Sequence, residues 1–486
     1  MEQDTCVKPS LKRYSLKTYL TLIFFSAFGI FAFFISFPLP GYQISILGWQ
    51  FGAVSANSTM LITHITNFVR AAFWGGNFKA MPAIIWLMAV YCLADLFLFR
   101  FDNFWRANKV TTAFSVFKIL GFVLLTITVA NYYFGFHPAI LSWYFSGLES
   151  IGGANISFYI LDRILISICI ILPVTAALLP FLADYGLIDL VGVISRRFMR
   201  PVLKLPGRAA VIAVSALLAN FSVGHIAAND QYKSGRMSAR ESIIIATCLS
   251  SVSMGFMLVL AQNTTLMHMW NTYIWTTFLI MILVTLVGVR IYPLNKIPNT
   301  YYEDVAPVPE KVYSKHIMAF AVKEALDTAA TADHYGKRAK YILKESVGIL
   351  AACMVGPSFF ATVGLALYTF TPIFTWVGYV FWPFMLIAIP ASEAVTASSG
   401  VALGFLENMM PSLLVATGEW SLRIRYMLAV VPVTSVVFLA SFVPCIMATS
   451  LPVKFGHLVI IWLERVILSI IFAALISIIL FPAGAT

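Results

Sequence analysis

The stretch SALLANFSVGHIAANDQYKSGRMSARES, residues 215–242, opens like a membrane helix and then stops being one. Asn220, Ser222, Gly224 and His225 interrupt the apolar run well short of the about 20 residues that a bilayer core takes. Basic residues stand on both sides: Arg208 before the run, and Lys233, Arg236 and Arg240 after it. Lys and Arg mark cytoplasmic loops, so the piece from Ala209 to Ala228 has to enter and leave through one face. That describes a re-entrant helical hairpin with its tip near ANFSVG (219–224). Non-helical backbone at membrane depth is tolerated only where protein or a water-filled cavity surrounds it.

The rest of the chain fits a membrane setting. Of 486 residues, 60% are hydrophobic and 11% charged, against about 25% charged in soluble proteins. Forty Phe, twenty Tyr and eleven Trp suit a lipid-facing surface with aromatic belts. The net charge of +11 is scattered among short loops rather than gathered in a patch, which fits topology-setting charge and no nucleic-acid partner. The six cysteines are isolated, with no CxxC or Cys/His cluster, so neither a metal site nor a disulfide framework is indicated. The polar, basic start before the first apolar run reads as the flank of an uncleaved span.

Apolar runs long enough to span lie near 18–37, 80–99, 114–136, 163–185, 241–262, 271–289, 346–371, 422–446 and 457–481. Lys8, Lys12, Arg13 and Lys17 put the N-terminus in the cytoplasm, and segments 137–162 and 262–277, free of Lys and Arg, fall outside. Residues 186–206 mix basic and apolar side chains as an interfacial amphipathic helix does. A Pro-containing polar linker at 295–345 separates two halves.

The halves run in one order: a span, an interfacial segment, a polar-interrupted hairpin, then a broken span. Pro173 answers Pro357, SALLANFSVGHIAAND (215–230) answers AVTASSGVALGFLENM (394–409) with Gly224 opposite Gly404, and SARES (238–242) answers SLRIR (421–425). Three crossings separate their starts, so the second unit is inverted relative to the first, the architecture of secondary transporters. Arg423 and Arg425 then fall outside, against the charge rule. A span at 373–390 would remove that conflict and the inversion with it.

The expected fold is an all-α polytopic membrane protein with about nine spanning helices, two re-entrant hairpins and two inverted repeats with interrupted helices. Its parts are a three-span extension (1–160), a first repeat (161–294), the linker (295–345), and a second repeat with the last span (346–486). Broken helices expose unpaired N–H and C=O groups that carry partial charge. The substrate-binding candidates are Asn220, Ser222, His225 and Asn229 on the first hairpin and Ser250, Ser251 and Ser253 on its broken span. The second unit adds Thr396, Ser398, Ser399 and Asn408, then Thr434 and Ser435. Glu393 and Glu407 are candidates to bind Na+ or exchange H+. Blander roles compete: Ser and Thr in membrane helices often bond the i−4 carbonyl, His225 can be a packed histidine, and Glu393 can be solvated. Asp162–Arg163 and Glu464–Arg465 read as structural or interfacial charges.

No HExxH, GxSxG, GxxxxGK[ST] or dinucleotide fingerprint occurs, so an enzyme is not indicated and no resident cofactor is implied. Residues 205–256, with Leu-Pro-Gly at the start, Gly at the hairpin tip, YKSG as the turn and SARE opening the next helix, resemble the Gate, or nucleoside-recognition, module. The C-terminal FVPCIMATSLPVKFGHLVIIWLERVILS (442–469) is similar to the YjiH family of bacterial inner-membrane proteins. The resemblance covers roughly residues 160–481. It implies a bacterial cytoplasmic-membrane protein distantly like concentrative nucleoside transporters, in which two hairpins and two unwound helices form a substrate site coupled to sodium or protons. The hairpin tips lack the Gln/Glu pairs with which those transporters grip a nucleoside. The solute class therefore stays open among nucleoside, amino acid and short peptide. A scaffold or regulatory protein built on the module, or a channel, are the alternatives. The N-terminal spans are a candidate homodimer contact.

Overall fold

The structure is a computed structural model. It describes residues 3–4, 14–46, 49–55, 57–75, 79–94, 97, 109–147, 155–207, 209–218, 221–307, 311–312, 317–416 and 418–482. The chain is mostly helical: 74% of the described residues lie in helices.

The extension holds α1 (Leu16–Phe34), α2 (Leu61–Phe73), α3 (Met81–Ala94) and α4 (Lys109–Phe134). It is not wholly helical. Strands β1 (Ser36–Leu39), β2 (Tyr42–Ile46), β3 (Trp49–Val54) and β4 (Asn57–Met60) form two antiparallel pairs, β1 with β4 and β2 with β3. Pro38 and Pro40 suit the helix stop before them. Tyr42, Ile44 and Ile46 alternate with Gln43 and Ser45 at the two-residue period of a strand. The all-α expectation missed that alternation.

The first unit begins with α5 (Ser167–Ala183), which continues a π-wound segment over Ile160–Ile166, and α6 (Leu187–Leu203). Two short helices follow, α7 (Ala209–Leu218) and α8 (Phe221–Lys233), packed on one another. Next come α9 (Ala239–Ile244) and a π-wound turn, Ile245–Leu249. The helix is broken over Ser250–Ser253 and resumes as α10 (Met254–Asn263). Ser238 and Glu241 form a capping box at the start of α9. A crossing helix, α11 (Trp270–Gly288), closes the unit.

The linker supplies α12 (Ile317–Thr331), which docks on α6 with Thr328 Oγ1 donating to Asp189 Oδ2 at 2.7 Å. Then α13 (Tyr335–Phe370) runs unbroken across the boundary expected at 345/346. Residues 373–390 hold α14 (Ile373–Gly378) and α15 (Trp382–Met385), each far too short to cross a bilayer. The second unit continues with α16 (Ala391–Leu403), α17 (Met410–Leu414), α18 (Leu422–Ser435), a break over Val436–Ser441, and α19 (Phe442–Met447). The last helix is α20 (Phe455–Leu480).

Among the described residues seven helices are long and apolar enough to cross a membrane, against the nine runs expected. The two remaining runs are 80–99 and 422–446. Over 80–99 the described helix is α3, only 14 residues long, and residues 95–96 and 98–99 lie outside the described residues. Over 422–446 the run is split by the break after Ser435, where Val436 takes φ 44°.

The bases of the two short-helix pairs lie at opposite ends of α11. Around α7 and α8, Arg290 Nη2 donates to the Val202 carbonyl at 2.9 Å, and the rings of Tyr232 and Tyr302 meet at 5.5 Å. Both contacts belong to the end after Gly288. Around α16 and α18, Arg425 Nη1 donates to Thr265 Oγ1 at 2.6 Å, at the end before Trp270. Arg423 Nε donates to the Phe481 carbonyl at 2.9 Å, at the end of α20. These two arginines, which strain the charge rule, are spent on fixing helix ends.

Candidate functional site

The candidate site lies where the two broken helices and the two short-helix pairs meet. Helix α8 packs on α19 of the other unit, and α10 packs on α17 and α18. Each break leaves carbonyls at the end of a half-helix that need a partner. The chain supplies most of them.

At the first break Ser250 returns its N–H to the Ile245 carbonyl at 2.9 Å and its hydroxyl to the same oxygen at 3.1 Å. His225, fully buried on α8, places Nε2 3.1 Å from the Ala246 carbonyl. A carbonyl only accepts, so Nε2 carries the proton and donates. The Thr285 hydroxyl of α11 shares its one proton between the Met281 carbonyl at 2.7 Å and the Cys248 carbonyl at 3.0 Å. Ser253 caps α10, accepting from Phe256 N–H at 3.2 Å. The close fit of α8 depends on Gly224, because a Cβ there would lie 2.3 Å from Ser250 Oγ and 2.8 Å from Ala216 Cβ.

The second break is satisfied in a parallel way. Asn408 Nδ2 donates to the Pro432 carbonyl at 3.0 Å. Thr434 hydrogen-bonds Ser469 of α20 at 2.7 Å. Arg465, also on α20 and buried, donates Nη2 to the Thr434 carbonyl and Nε to the Ser435 carbonyl, the latter at 3.3 Å. Cys248 of the first broken helix lies against the same guanidinium. The unwound backbone itself pairs with the turn after α16, Leu439 N–H to Phe405 carbonyl at 2.8 Å and Ala440 N–H to Leu406 carbonyl at 3.0 Å.

A set of buried polar atoms around these breaks is left without a hydrogen-bond partner: His225 Nδ1, Ser251 Oγ, Thr175 Oγ1, Glu407 Oε2 and Arg465 Nη1. Thr175 of α5 belongs here because Gly255, in the first turn of α10, brings the helix so close that a Cβ would sit 2.6 Å from its hydroxyl. Glu407 is buried, with Oε1 accepting from Met409 N–H at 3.3 Å. Buried polar groups are rarely left unpaired, and each such group calls for an explanation.

The sequence candidates separate accordingly. Ser222, against the Cys445 thiol of α19, His225, Ser250, Ser251, Ser253, Glu407, Asn408, Thr434 and Ser435 lie at the breaks or on the elements packed against them. Ser398 and Ser399 bond the Ala394 and Val395 carbonyls of their own helix at 2.6 and 2.8 Å. Thr396 is half-buried on the same helix. Asn229 is at the far end of α8, where its Oδ1 accepts from Ser450 N–H at 2.9 Å. Glu393 accepts from the Ser421 hydroxyl at 2.6 Å and from its N–H at 3.2 Å, joining the first turn of α16 to the start of α18. Asn220 lies outside the described residues. Thr175 and Arg465 also lie at the breaks and were not among the sequence candidates. Asp162, read as structural, does pair with Arg70 at 2.7 Å and accepts from Trp74 Nε1 at 2.9 Å. Among the described residues His, Cys, Asp and Glu form no group of three or more able to hold a metal ion.

No family model matches the chain. An uncharacterized protein of Alkalihalophilus pseudofirmus is similar to it, at 28% identity over 303 residues. That match takes in 60% of this chain and 63% of the relative, so under two thirds of the relative's length is spanned. Two solved structures of CNTnw, in states called intermediate 2 and intermediate 3, align over 95% and 97% of this chain and 98% and 100% of their own. Their identities are 13% and 12%, and their TM-scores 0.38 and 0.37. By its own helices the chain is a multi-pass, mostly helical membrane protein.

Proposed function

We propose that the protein is a secondary active transporter of a small polar or zwitterionic solute (nucleoside, amino acid or short peptide), working by alternating access in the bacterial cytoplasmic membrane. In this reading the pairs α7–α8 and α16–α17 are re-entrant hairpins, the two units are inverted repeats, and the N-terminus is cytoplasmic. The attachment of their bases to opposite ends of α11 supports the inversion. The observation that carries the function is the set of unpaired buried polar atoms at the two breaks. It offers acceptors and donors of both charge types, Glu407 Oε2 and Arg465 Nη1 among them. A solute with several polar groups would satisfy them, and an empty apolar seam would not need them.

Glu407 would exchange the coupling proton; its burial beside the hairpin turn with one oxygen unpaired supports that role. Ser222, Ser251 and His225 would hold the solute from the first unit, and Asn408, Thr434 and Ser435 frame it from the second. Two copies would meet through the N-terminal spans.

A thermal-shift screen of the purified protein tests this, with nucleosides, amino acids and dipeptides each at two pH values and with Na+ or K+. A ligand that binds only the folded state at a hundredfold excess over its Kd stabilises it by about 2.7 kcal/mol. The reading expects one chemical class to raise Tm and the same class to be accumulated in proteoliposomes. Silence across all classes, together with no uptake, would favour a scaffold. Flux that does not saturate would favour a channel.

A further inference from the structure

A helix that stops inside a membrane concentrates partial negative charge on its last carbonyls. In transporters with discontinuous helices, such ends hold the coupling cation. The end of α18 has that form, with the Thr434 and Ser435 carbonyls facing out of the broken helix. A cation is already there, and it belongs to the chain. Arg465 lies 1% exposed, spreads two nitrogens over two consecutive carbonyls, and touches Cys248 of the other broken helix.

We propose that Arg465 is a tethered cation standing in the place of a free one, so that the α18 end binds neither Na+ nor K+ while its guanidinium is seated. A guanidinium suits the role because its charge is fixed, its donors form a rigid planar fork, and it is more weakly hydrated than an ammonium. The inference rests on the transporter reading and deepens it, since it denies this helix end to a free coupling ion. A purely structural clamp is the competing account. It differs in one respect: a clamp has no reason to be replaced by a small ion.

The test is the melting temperature of purified full-length protein without solute, in chloride salts of Na+, K+ and guanidinium far below denaturing concentrations, against choline at equal ionic strength. For the unaltered protein no Na+- or K+-specific shift is expected. Arg465→Ala is expected to melt several degrees lower and to regain part of that loss, saturably, with Na+, K+ or guanidinium but not choline. Arg465→Gln, which drops the charge and keeps much of the bulk, is expected to behave alike and serves if the alanine variant does not fold. A folded variant that no small cation stabilises more than choline overturns the proposal. So does a cation-specific shift of equal size with and without Arg465. Because no solute enters the measurement, the ion inference and the transporter reading fail separately.

Discussion

His225 and Asn408 do the same work in the two units. Each reaches from a short-helix pair to a carbonyl at the broken end of the helix that follows, His225 to Ala246 at 3.1 Å and Asn408 to Pro432 at 3.0 Å. The correspondence is one of function in space. Asn408 lies in the turn after α16, whereas His225 lies in the second helix of its pair.

Removing the donor should expose the debt. Asn408→Ala removes one of two donors to the Pro432 carbonyl, which keeps the Val436 N–H at 3.2 Å, so the loss is that of one hydrogen bond, about 0.5–1.5 kcal/mol. Asn408→Asp has the same shape but no N–H to give, so it should not restore the wild-type Tm. A denaturation series on the two variants checks this, and an aspartate variant as stable as the native protein would count against the bond.

Gly224→Ala should be poorly tolerated. The new methyl meets Ser250 Oγ at 2.3 Å and Ala216 Cβ at 2.8 Å, and overpacking of this kind costs about 1–3 kcal/mol. Adding Ser250→Gly removes the nearer clash and should recover part of the stability. If the double variant is no better than the single one, the contact with Ser250 is not what fixes α8.

The two serines flanking Val252 should behave oppositely. Ser253→Ala loses the cap of α10, about 1 kcal/mol. Ser251 has an unpaired hydroxyl in a buried place, so Ser251→Ala should leave Tm unchanged or raise it while weakening solute binding. Thermal melts with and without the solute found by screening separate the two effects.

Glu407→Gln keeps the shape and removes the exchangeable proton. Solute exchange across proteoliposomes at equal pH should persist, and accumulation driven by a pH gradient should vanish. Retained accumulation would move the coupling role elsewhere.

The sequence made the breaks legible because polar residues inside an apolar run have few harmless explanations at membrane depth. Ser250–Ser253 and Thr434–Ser435 were found that way. Arg465 was not, because its neighbour Glu464 suggests a local charge pair, and only the packing of α20 against α18 turns the guanidinium inward. Glu393 was singled out on type, yet its partner is Ser421, 28 residues away. The strands at 36–60 were passed over since their Pro and Gly residues also read as a plain connection between spans. That the two short-helix pairs are tied to opposite ends of α11 required contacts that no local pattern contains.

Helix α13 starts inside the linker, at Tyr335, and runs on through the apolar run at 346–371. Its 36 residues make a rod of about 54 Å, with Pro357 its one internal proline. Further along, Gly356 comes so near the second break that a Cβ would lie 2.8 Å from the Ala440 carbonyl, and Gly364 faces Leu403 and Leu406 beside Glu407. A single rigid element thus runs from the polar segment between the units to the broken helix and the adjoining turn. At its start Tyr335 is anchored on α5, its hydroxyl donating to the Ala177 carbonyl at 2.8 Å, so one continuous helix ties the linker to both α5 and the second break.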